Sequence, residues 1–165
     1  MNAPFRTGTG YDSHVFDPSR PLVLGGIRIP DAPGLRGHSD GDALLHAIID
    51  ALFGAAALPD IGAHFPDTSP DWKNADSSAL LAAAVAELRS AGWEIGNVDA
   101  TVVAETPRLK PYVPAIRERI ASILGCGVDC VSVKGKTNEG MDDVGARRGL
   151  CVHASALVFR PGACA

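Results

Sequence analysis

The chain has 165 residues, of which 46% are hydrophobic, and this predicts one domain with a real core over residues 1–165. Its formal net charge of -4 at pH 7 argues against a nucleic-acid-binding protein, which needs a basic face to neutralise many phosphates. No stretch approaches the roughly 20 apolar residues of a membrane span, and the first residues lack the pattern of a signal peptide, so we expect a cytoplasmic protein.

Two strands are predicted near the start of the chain. Residues 5–12 (FRTGTGYD) and 21–29 (PLVLGGIRI) are partly β-branched and apolar, as strands usually are. The second segment contains the pair Gly25 and Gly26, which predicts a bulge or a close backbone approach within that strand.

Two helices are predicted next. Apolar residues recur at helical spacing over residues 42–58, and Ser39 lies where an N-cap would, with Asp42 three residues later as in a capping box. A second helix is predicted over residues 77–92, where Asp76 can cap the first turn and the final glycine can end the helix.

Strands and one more helix alternate in the second half of the chain. Strands are predicted at 98–105, 130–136 and 150–160, a helix at 111–124, and a polar, glycine-bearing loop at 137–149. The order β-β-α-α-β-α-β-β predicts the α/β class, with a mixed four-stranded sheet plus a short hairpin packed against helices.

The stretch GYDSH sets a carboxylate and an imidazole two positions apart. In an extended strand Asp12 and His14 project from the same face, while Ser13 faces away. This is half of a metal site, although a short pattern of this kind is more often an idle, solvated turn.

A histidine on the first helix offers the second half. Asp42, His46 and Asp50 lie four residues apart on one side of that helix, and the flanking carboxylates resemble partners that fix an imidazole ring. Otherwise Asp42 only caps the helix and His46 is a satisfied polar residue at the edge of the core. With Asp12 and His14, His46 suits zinc with one position open, and manganese or iron(II) accept the same ligand types.

Four motifs occur in order over most of the chain. They are GYDSH, GHSDGDALLHAIIDALFGAAALPDIGAHFPDTSP, NVDATVVAETPRLKP and VKGKTNEG. With these intervals the chain resembles the 2-C-methyl-D-erythritol 2,4-cyclodiphosphate synthase family, which belongs to the non-mevalonate isoprenoid pathway.

The resemblance implies an intramolecular phosphoryl transfer. The 2-phosphate of 4-diphosphocytidyl-2-C-methyl-D-erythritol 2-phosphate attacks the β-phosphorus of the diphosphate, which closes the 2,4-cyclodiphosphate and expels CMP. No protein nucleophile is needed, and no cysteine of the sequence lies in a recognisable catalytic setting.

The resemblance also implies two metal ions. Asp12, His14 and His46 match the family's zinc ligands, with a substrate phosphate oxygen as the fourth ligand. Glu139 matches the glutamate for a second divalent ion, Mg²⁺ or Mn²⁺, which favours carboxylate oxygens. Without the family, Glu139 is a solvated loop acid.

Further positions match the family's catalytic and substrate-binding residues. His38 and Thr137 match stabilisers of the phosphoryl transition state, whereas alone His38 is only a loop histidine. The resemblance implies that the methylerythritol end is held mainly by residues 60–69 and the cytidine end by residues 104–110. The matched substrate-binding residues are Asp12, Ser13, His14, His38, Ser39, Asp60, Ile61, Gly62, Phe65, Pro66, Asp67, Thr68, Ser69, Ala104, Glu105, Thr106, Pro107, Arg108, Leu109, Lys110, Lys136, Thr137, Asn138 and Glu139.

The family is a homotrimer with active sites at subunit boundaries, and the resemblance implies the same assembly here. The chain departs from the family pattern where Asp143 replaces an aromatic residue and Ala146 replaces an arginine. Those positions line a central cavity that takes an isoprenoid diphosphate in the family. An acid at the mouth of an apolar, anion-accepting pocket opposes such a ligand.

Two other classes of function fit parts of the pattern. A metal-dependent phosphohydrolase would use the same zinc to direct water at phosphorus. A zinc-containing nucleotide-binding module is the other, but a structural zinc site usually fills all four positions, typically with cysteines. The four cysteines of this chain lie far in sequence from both histidine motifs.

Overall fold

The computed structural model describes residues 4–66, 68, 69, 72 and 75–162. In chain order, the strands and helices are β1 (Phe5–Leu24), β2 (Ile27–Leu35), α1 (Ala43–Ala56), α2 (Ile61–His64), α3 (Ser77–Ser90), β3 (Glu94–Val103), α4 (Val113–Leu124), β4 (Val131–Lys136), α5 (Asp142–Gly145) and β5 (Gly149–Phe159). Apart from the short helices α2 and α5, this order is the predicted one.

The strands form a mixed sheet in the order β2-β1-β5-β3-β4. Strand β3 runs parallel to β4, and the other neighbours are antiparallel. The predicted α/β class and mixed sheet are confirmed, but the sheet has five strands rather than four. The cause is the length of β1, because its residues 5–15 pair with β5 and its residues 16–24 pair with β2, which joins the predicted hairpin to the sheet.

Gly25 and Gly26 form the turn between β1 and β2. Their φ angles are +63° and +72°, a region that glycine adopts without the steric cost of a Cβ. The prediction of one strand over residues 21–29 is therefore wrong, because the pair ends one strand and starts the next.

The N-cap of α1 is Asp42, not Ser39 as predicted. Its carboxylate is fully buried and accepts hydrogen bonds from the backbone N–H groups of Gly25 (2.9 Å), Gly26 (2.7 Å) and Leu45 (3.1 Å). Burial raises the pKa of Asp42 to about 6, although these hydrogen bonds act in the opposite direction. One carboxylate thus joins the β-turn to the start of α1.

Helix α1 lies close against β1. A Cβ at Gly10 would lie 1.9 Å from the carbonyl oxygen of Ala47, and one at Gly8 would lie 2.2 Å from that of Ala51. Only glycine allows so short a separation between a strand and a helix. This contact sets the distance between the side chains that β1 and α1 carry.

The remaining helices cover the same face. The α1 and α3 helices contact each other, and their leucines and alanines form much of the buried core. Asp76 caps α3 as predicted, accepting from the N–H of Ser78 at 2.8 Å. Helix α4 begins at Val113, two residues later than predicted. No helix within the described residues is both long enough and apolar enough to cross a membrane.

Candidate metal centre and substrate cavities

Strand β1 and helix α1 bring Asp12, His14 and His46 together. The Oδ2 atom of Asp12 lies 2.9 Å from Nε2 of His14 and 3.0 Å from Nδ1 of His46. One ligand atom from each side chain lies within 4.8 Å of the other two, and all three residues are half-buried. The two sequence motifs, 34 residues apart, therefore meet at one point.

A backbone carbonyl orients the ring of His14. Its Nδ1–H donates to the carbonyl oxygen of Arg36 at 2.5 Å. A carbonyl oxygen only accepts, so Nδ1 keeps its proton and Nε2 is the nitrogen that can bind a cation beside Asp12.

Two serine hydroxyls hold the ring of His46. Its Nε2 atom lies 2.9 Å from Oγ of Ser77 and 3.2 Å from Oγ of Ser39. The Ser77 hydroxyl donates its one proton to the carboxylate of Asp40 at 2.5 Å, so toward His46 it can only accept. Nε2 of His46 therefore carries a proton, and Nδ1 is the nitrogen directed at Asp12.

The carboxylates that flank His46 on its helix do not hold the ring, contrary to the sequence prediction. Asp42 binds the turn between β1 and β2, and Asp50 accepts from the backbone N–H of Ile61 at 2.8 Å. The groups that orient the ring come instead from the loop before α1 and from the first turn of α3. A helical wheel of α1 does not include them.

Charge at the triad favours a cation. Burial opposes ionisation of Asp12, but the hydrogen bonds from His14 and His46 outweigh it and hold the pKa of the carboxyl well below its usual range. Burial also lowers the pKa of His14, but the hydrogen bond to Asp12 outweighs it and the pKa is raised. A bound metal ion would replace the protons shared in this cluster. Two imidazoles and one carboxylate can therefore hold a divalent metal ion here.

A first cavity of about 370 Å³ opens over the triad. The predicted site residues that line it with the triad are His38, Ser39, Ile61, Gly62 and Phe65. Helix α2 supplies part of this wall, and Asp60 caps α2 by accepting from the N–H of Ala63 at 2.9 Å.

The loop that follows α2 reaches the same region. Nε2 of His38 lies 3.3 Å from the carbonyl oxygen of Ser69, and the ring of Phe65 meets that of Trp72 edge to face at 5.1 Å. Pro66 is half-buried and Thr68 is exposed, and neither lines the first cavity. Asp67, which the sequence also placed in the substrate site, lies outside the described residues.

A second cavity of about 840 Å³ lies at the ends of β3 and β4. The predicted residues Ala104, Glu105, Pro107, Arg108, Leu109, Lys110, Lys136 and Thr137 line it. Thr106 does not, although it precedes Pro107 directly. The cationic side chains at this cavity, all on exposed residues, are Arg108, Lys110, Lys134, Lys136 and Arg147. The cavity therefore suits an anionic ligand.

Glu105 joins the two loops that border the second cavity. Its Oε1 atom accepts from the backbone N–H of Asn138 at 2.8 Å and of Gly140 at 3.3 Å. Beside these residues, the hydroxyl of Thr137 donates to Oε1 of Glu139 at 2.7 Å. Glu139 is exposed and lines neither of the two cavities.

The two predicted catalytic residues lie apart. His38 lines the first cavity and Thr137 the second, and among the residues that the structure describes none lines both. Ser13, whose backbone N–H donates to its neighbour Asp12 at 2.8 Å, lines a third cavity with Asp143. There Asp143 pairs with Arg148 at 2.9 Å, so the acid that departs from the family pattern is matched by a neighbouring cation.

The family model described as the YgbB family matches residues 5–159. The chain belongs to the YgbB family. A 2-C-methyl-D-erythritol 2,4-cyclodiphosphate synthase of Burkholderia thailandensis is 54% identical over 159 residues, which are 96% of this chain and 98% of that protein. The synthase of Neisseria gonorrhoeae is 50% identical over 155 residues, 94% of this chain and 97% of that protein.

Solved structures share the YgbB-family fold. The bifunctional IspDF of Campylobacter jejuni matches with a TM-score of 0.91 and 40% identity, over 94% of this chain and 42% of that one. The CDP complex of IspF from Plasmodium falciparum matches with a TM-score of 0.83 and 32% identity, over 97% of this chain and 99% of that one. The family resemblance inferred from the four sequence motifs is therefore confirmed.

Sequence reasoning missed several residues of this YgbB-family site. Trp72 and Leu80 line the first cavity, and Arg147 lines the second. An aromatic residue in a polar connection is a signal that could have identified Trp72. Asp40 and Ser77, whose contact spans 37 residues, carry no comparable local signal.

Proposed function

We propose that this chain converts 4-diphosphocytidyl-2-C-methyl-D-erythritol 2-phosphate to 2-C-methyl-D-erythritol 2,4-cyclodiphosphate and CMP, as a lyase of the non-mevalonate isoprenoid pathway. The observation that carries the proposal is the convergence of Asp12, His14 and His46 at the base of the first cavity. Membership of the YgbB family, whose near full-length relatives bear this synthase name, supports the same reaction.

The triad would hold the first metal ion, with zinc as the expected ion. Three protein ligands would leave a position for a phosphate oxygen of the substrate. When bound, the ion would supply Lewis-acid polarisation of the phosphoryl group under attack. Glu139 would hold a second divalent ion, Mg²⁺ or Mn²⁺, against the diphosphate.

The protein's own groups bind and orient the reacting phosphates. His38 at the first cavity would donate a hydrogen bond to a phosphoryl oxygen as charge shifts in the transition state. Thr137 at the second cavity would do the same once Glu139, which accepts its hydroxyl proton in this structure, binds the second ion. Ile61, Gly62 and Phe65 form a wall that would hold the methylerythritol and exclude water from the phosphorus. This arrangement supplies positioning and charge neutralisation, which are the main requirements of phosphoryl transfer.

The cytidine end of the substrate would occupy the second cavity. Backbone groups of residues 104–110 can pair with the edge of the base, while Arg108, Lys110 and Lys136 face the phosphates. Solved relatives described as CDP complexes match this fold at 32% and 34% identity and support a cytidine nucleotide as ligand.

The separation of the two cavities supports a site shared between chains. We propose a cytoplasmic homotrimer of single-domain chains, residues 1–165, in which the first cavity of one protomer faces the second cavity of the next. His38 and Thr137 would then act on one substrate across the boundary. Large apolar residues exposed on the sheet supply surface for such contacts; they include Phe5, Tyr11, Val15 and Phe159.

A product assay tests the function. The purified protein, incubated with the diphosphocytidyl substrate and Mg²⁺, should release CMP and give the phosphorus NMR spectrum of a cyclic diphosphate, and chelation should stop both. CMP together with the acyclic 2,4-bisphosphate, or inorganic phosphate in place of CMP, would instead identify a phosphohydrolase. Release of neither product by the metal-loaded protein would reject both reactions.

A further inference from the structure

Asp40 uses its whole carboxylate in the contact between the loop before α1 and the start of α3. Its Oδ1 accepts from the Ser77 hydroxyl (2.5 Å) and from the N–H of Asp42 (3.1 Å), and its Oδ2 accepts from the N–H of Ser77 (3.0 Å). Its own N–H donates to the carbonyl oxygen of Ala75 at 3.1 Å. Asp40 lines none of the three cavities described above.

Ser77 links Asp40 to His46 of the candidate metal centre. The residue is fully buried, and its hydroxyl lies between the carboxylate of Asp40 and Nε2 of His46. A hydroxyl has one proton, and the carboxylate takes it, so the oxygen presents only lone pairs to the imidazole. The direction of each hydrogen bond in this chain of three residues is therefore determined.

The contact with Ser77 determines which ring nitrogen of His46 carries a proton and which one faces Asp12. With Nε2–H donating to Ser77, Nδ1 is the nitrogen that faces Asp12 Oδ2, 3.0 Å away, and its lone pair would bind a cation there once the cation displaces the proton shared with Asp12. A ring with the opposite tautomer would direct an N–H at the cation and could not bind it.

We propose that Asp40 is a positioning residue of the metal centre, acting through the Ser77 hydroxyl to keep His46 in its metal-binding tautomer and orientation. The proposal deepens the metal-dependent function proposed above and rests on it. Partners of this kind typically change metal affinity 10- to 100-fold when removed.

A purely structural role for Asp40 is the rival explanation. Two of its contacts, to the N–H of Ser77 and to the carbonyl of Ala75, could serve only to fix the start of α3. Ser77→Ala separates the two explanations, because it removes the hydroxyl but keeps both backbone contacts. Ser78→Ala is the matched control, since Ser78 is also a buried serine of the same helical turn and its backbone N–H bonds to Asp76.

The experiment measures metal affinity directly. Each metal-free protein is titrated with Zn²⁺ against a chromophoric chelator, and circular dichroism checks the fold. We expect Ser77→Ala and Asp40→Asn each to weaken zinc binding about 10- to 100-fold, and the double variant to be no weaker than either. Ser78→Ala should stay within about twofold, as expected for a residue outside the network. Equal zinc affinity of Ser77→Ala and the wild type would overturn the proposal while leaving the proposed function intact.

A spectroscopic measurement on the wild type does not depend on any variant folding. In the zinc-loaded protein, long-range proton–nitrogen correlation should show His46 protonated at Nε2 and bound through Nδ1. Protonation at Nδ1 with zinc bound would refute the positioning proposal but leave the metal centre in place. A wild type that binds no zinc or cobalt would refute the metal centre and the positioning proposal together.

Discussion

The two cavities of this chain are built in different ways. The first cavity takes its metal-binding triad from half-buried side chains on β1 and α1, whose backbones lie in close contact through Gly8 and Gly10. The second cavity takes its charge from exposed arginines and lysines at strand ends and loops. In the proposed function, core packing would hold the groups that act on phosphorus, whereas longer and exposed side chains would attract the substrate.

This difference predicts separate kinetic consequences. Changes at the triad should reduce the chemical step, because they remove interactions made in the transition state. Changes at the exposed cations should mainly raise KM, because they remove binding that substrate and transition state share. The following predictions test the contrast, from the largest expected effect to the smallest.

The largest effect is expected at His46. His46→Ala should lower kcat at least about 100-fold, because the charge stabilisation that a bound metal supplies is worth several kcal/mol. CMP release measures the activity, and elemental analysis measures the bound metal. Circular dichroism should show an intact fold, since His46 lies at the edge of the core; a variant that is fully active would remove His46 from the site.

A smaller effect is expected at the cations of the second cavity. Arg108→Ala should raise KM about 10-fold with kcat nearly unchanged, because a charge-assisted hydrogen bond to phosphate is worth about 1.5–3 kcal/mol. Steady-state kinetics on the diphosphocytidyl substrate provide the measurement. Arg28→Ala, which removes an exposed arginine on β2, is the control. A loss confined to kcat would contradict the division between the two cavities.

Glu105 tests whether the two loops that border the second cavity need a fixed spacing. Glu105→Ala leaves the N–H groups of Asn138 and Gly140 without their acceptor, and CMP affinity should fall about fivefold, the equivalent of one net hydrogen bond. Glu105→Gln keeps an acceptor oxygen and should restore most of that affinity. Calorimetric titration with CMP measures both, and equal affinity of Glu105→Ala and the wild type would show that the loops are held by other contacts.

The smallest effect is expected at the wall that α2 adds to the first cavity. His64 donates from Nε2 to Glu87 (2.8 Å) and from Nδ1 to the carbonyl of Asp60 (3.0 Å), and its ring stacks on Phe53 at 4.3 Å. The hydrogen bond to Asp60 and the charge of Glu87 raise the pKa of His64 above its ordinary 6.5. A neutral imidazole has only one N–H, so the two contacts exist together only in the protonated ring. Their joint contribution is complete below pH 6.5 and is lost as the pH rises through the raised pKa.

KM for the substrate should accordingly rise about threefold between pH 6 and pH 8.5, since a partly exposed pair contributes little. In Glu87→Gln this pH dependence should flatten, while kcat stays near the wild-type value. Glu94→Gln, which alters an exposed carboxylate paired with Arg89, is the control and should keep the wild-type profile. An unchanged profile in Glu87→Gln would show that α2 is held without this pair.

Local periodicity explains what the sequence determined about the site. Alternation in β1 put Asp12 and His14 on one face, and helical spacing in α1 put His46 on one side of that helix. Residue chemistry then indicated a metal centre, and the spacing of four motifs indicated the family. The placements on β1 and α1 required no knowledge of distant contacts, because each of these two patterns repeats over a few neighbouring residues.

Tertiary structure decided the rest. The sequence of the Gly25–Gly26 pair fits a bulge as well as a turn. The carboxylate of Asp42, 17 and 16 residues away, binds the two N–H groups and fixes the pair as a turn. The partners of His46 proved to be Ser39 and Ser77 rather than its neighbours on α1. Such contacts depend on how whole elements pack, and no local period in the sequence records that packing.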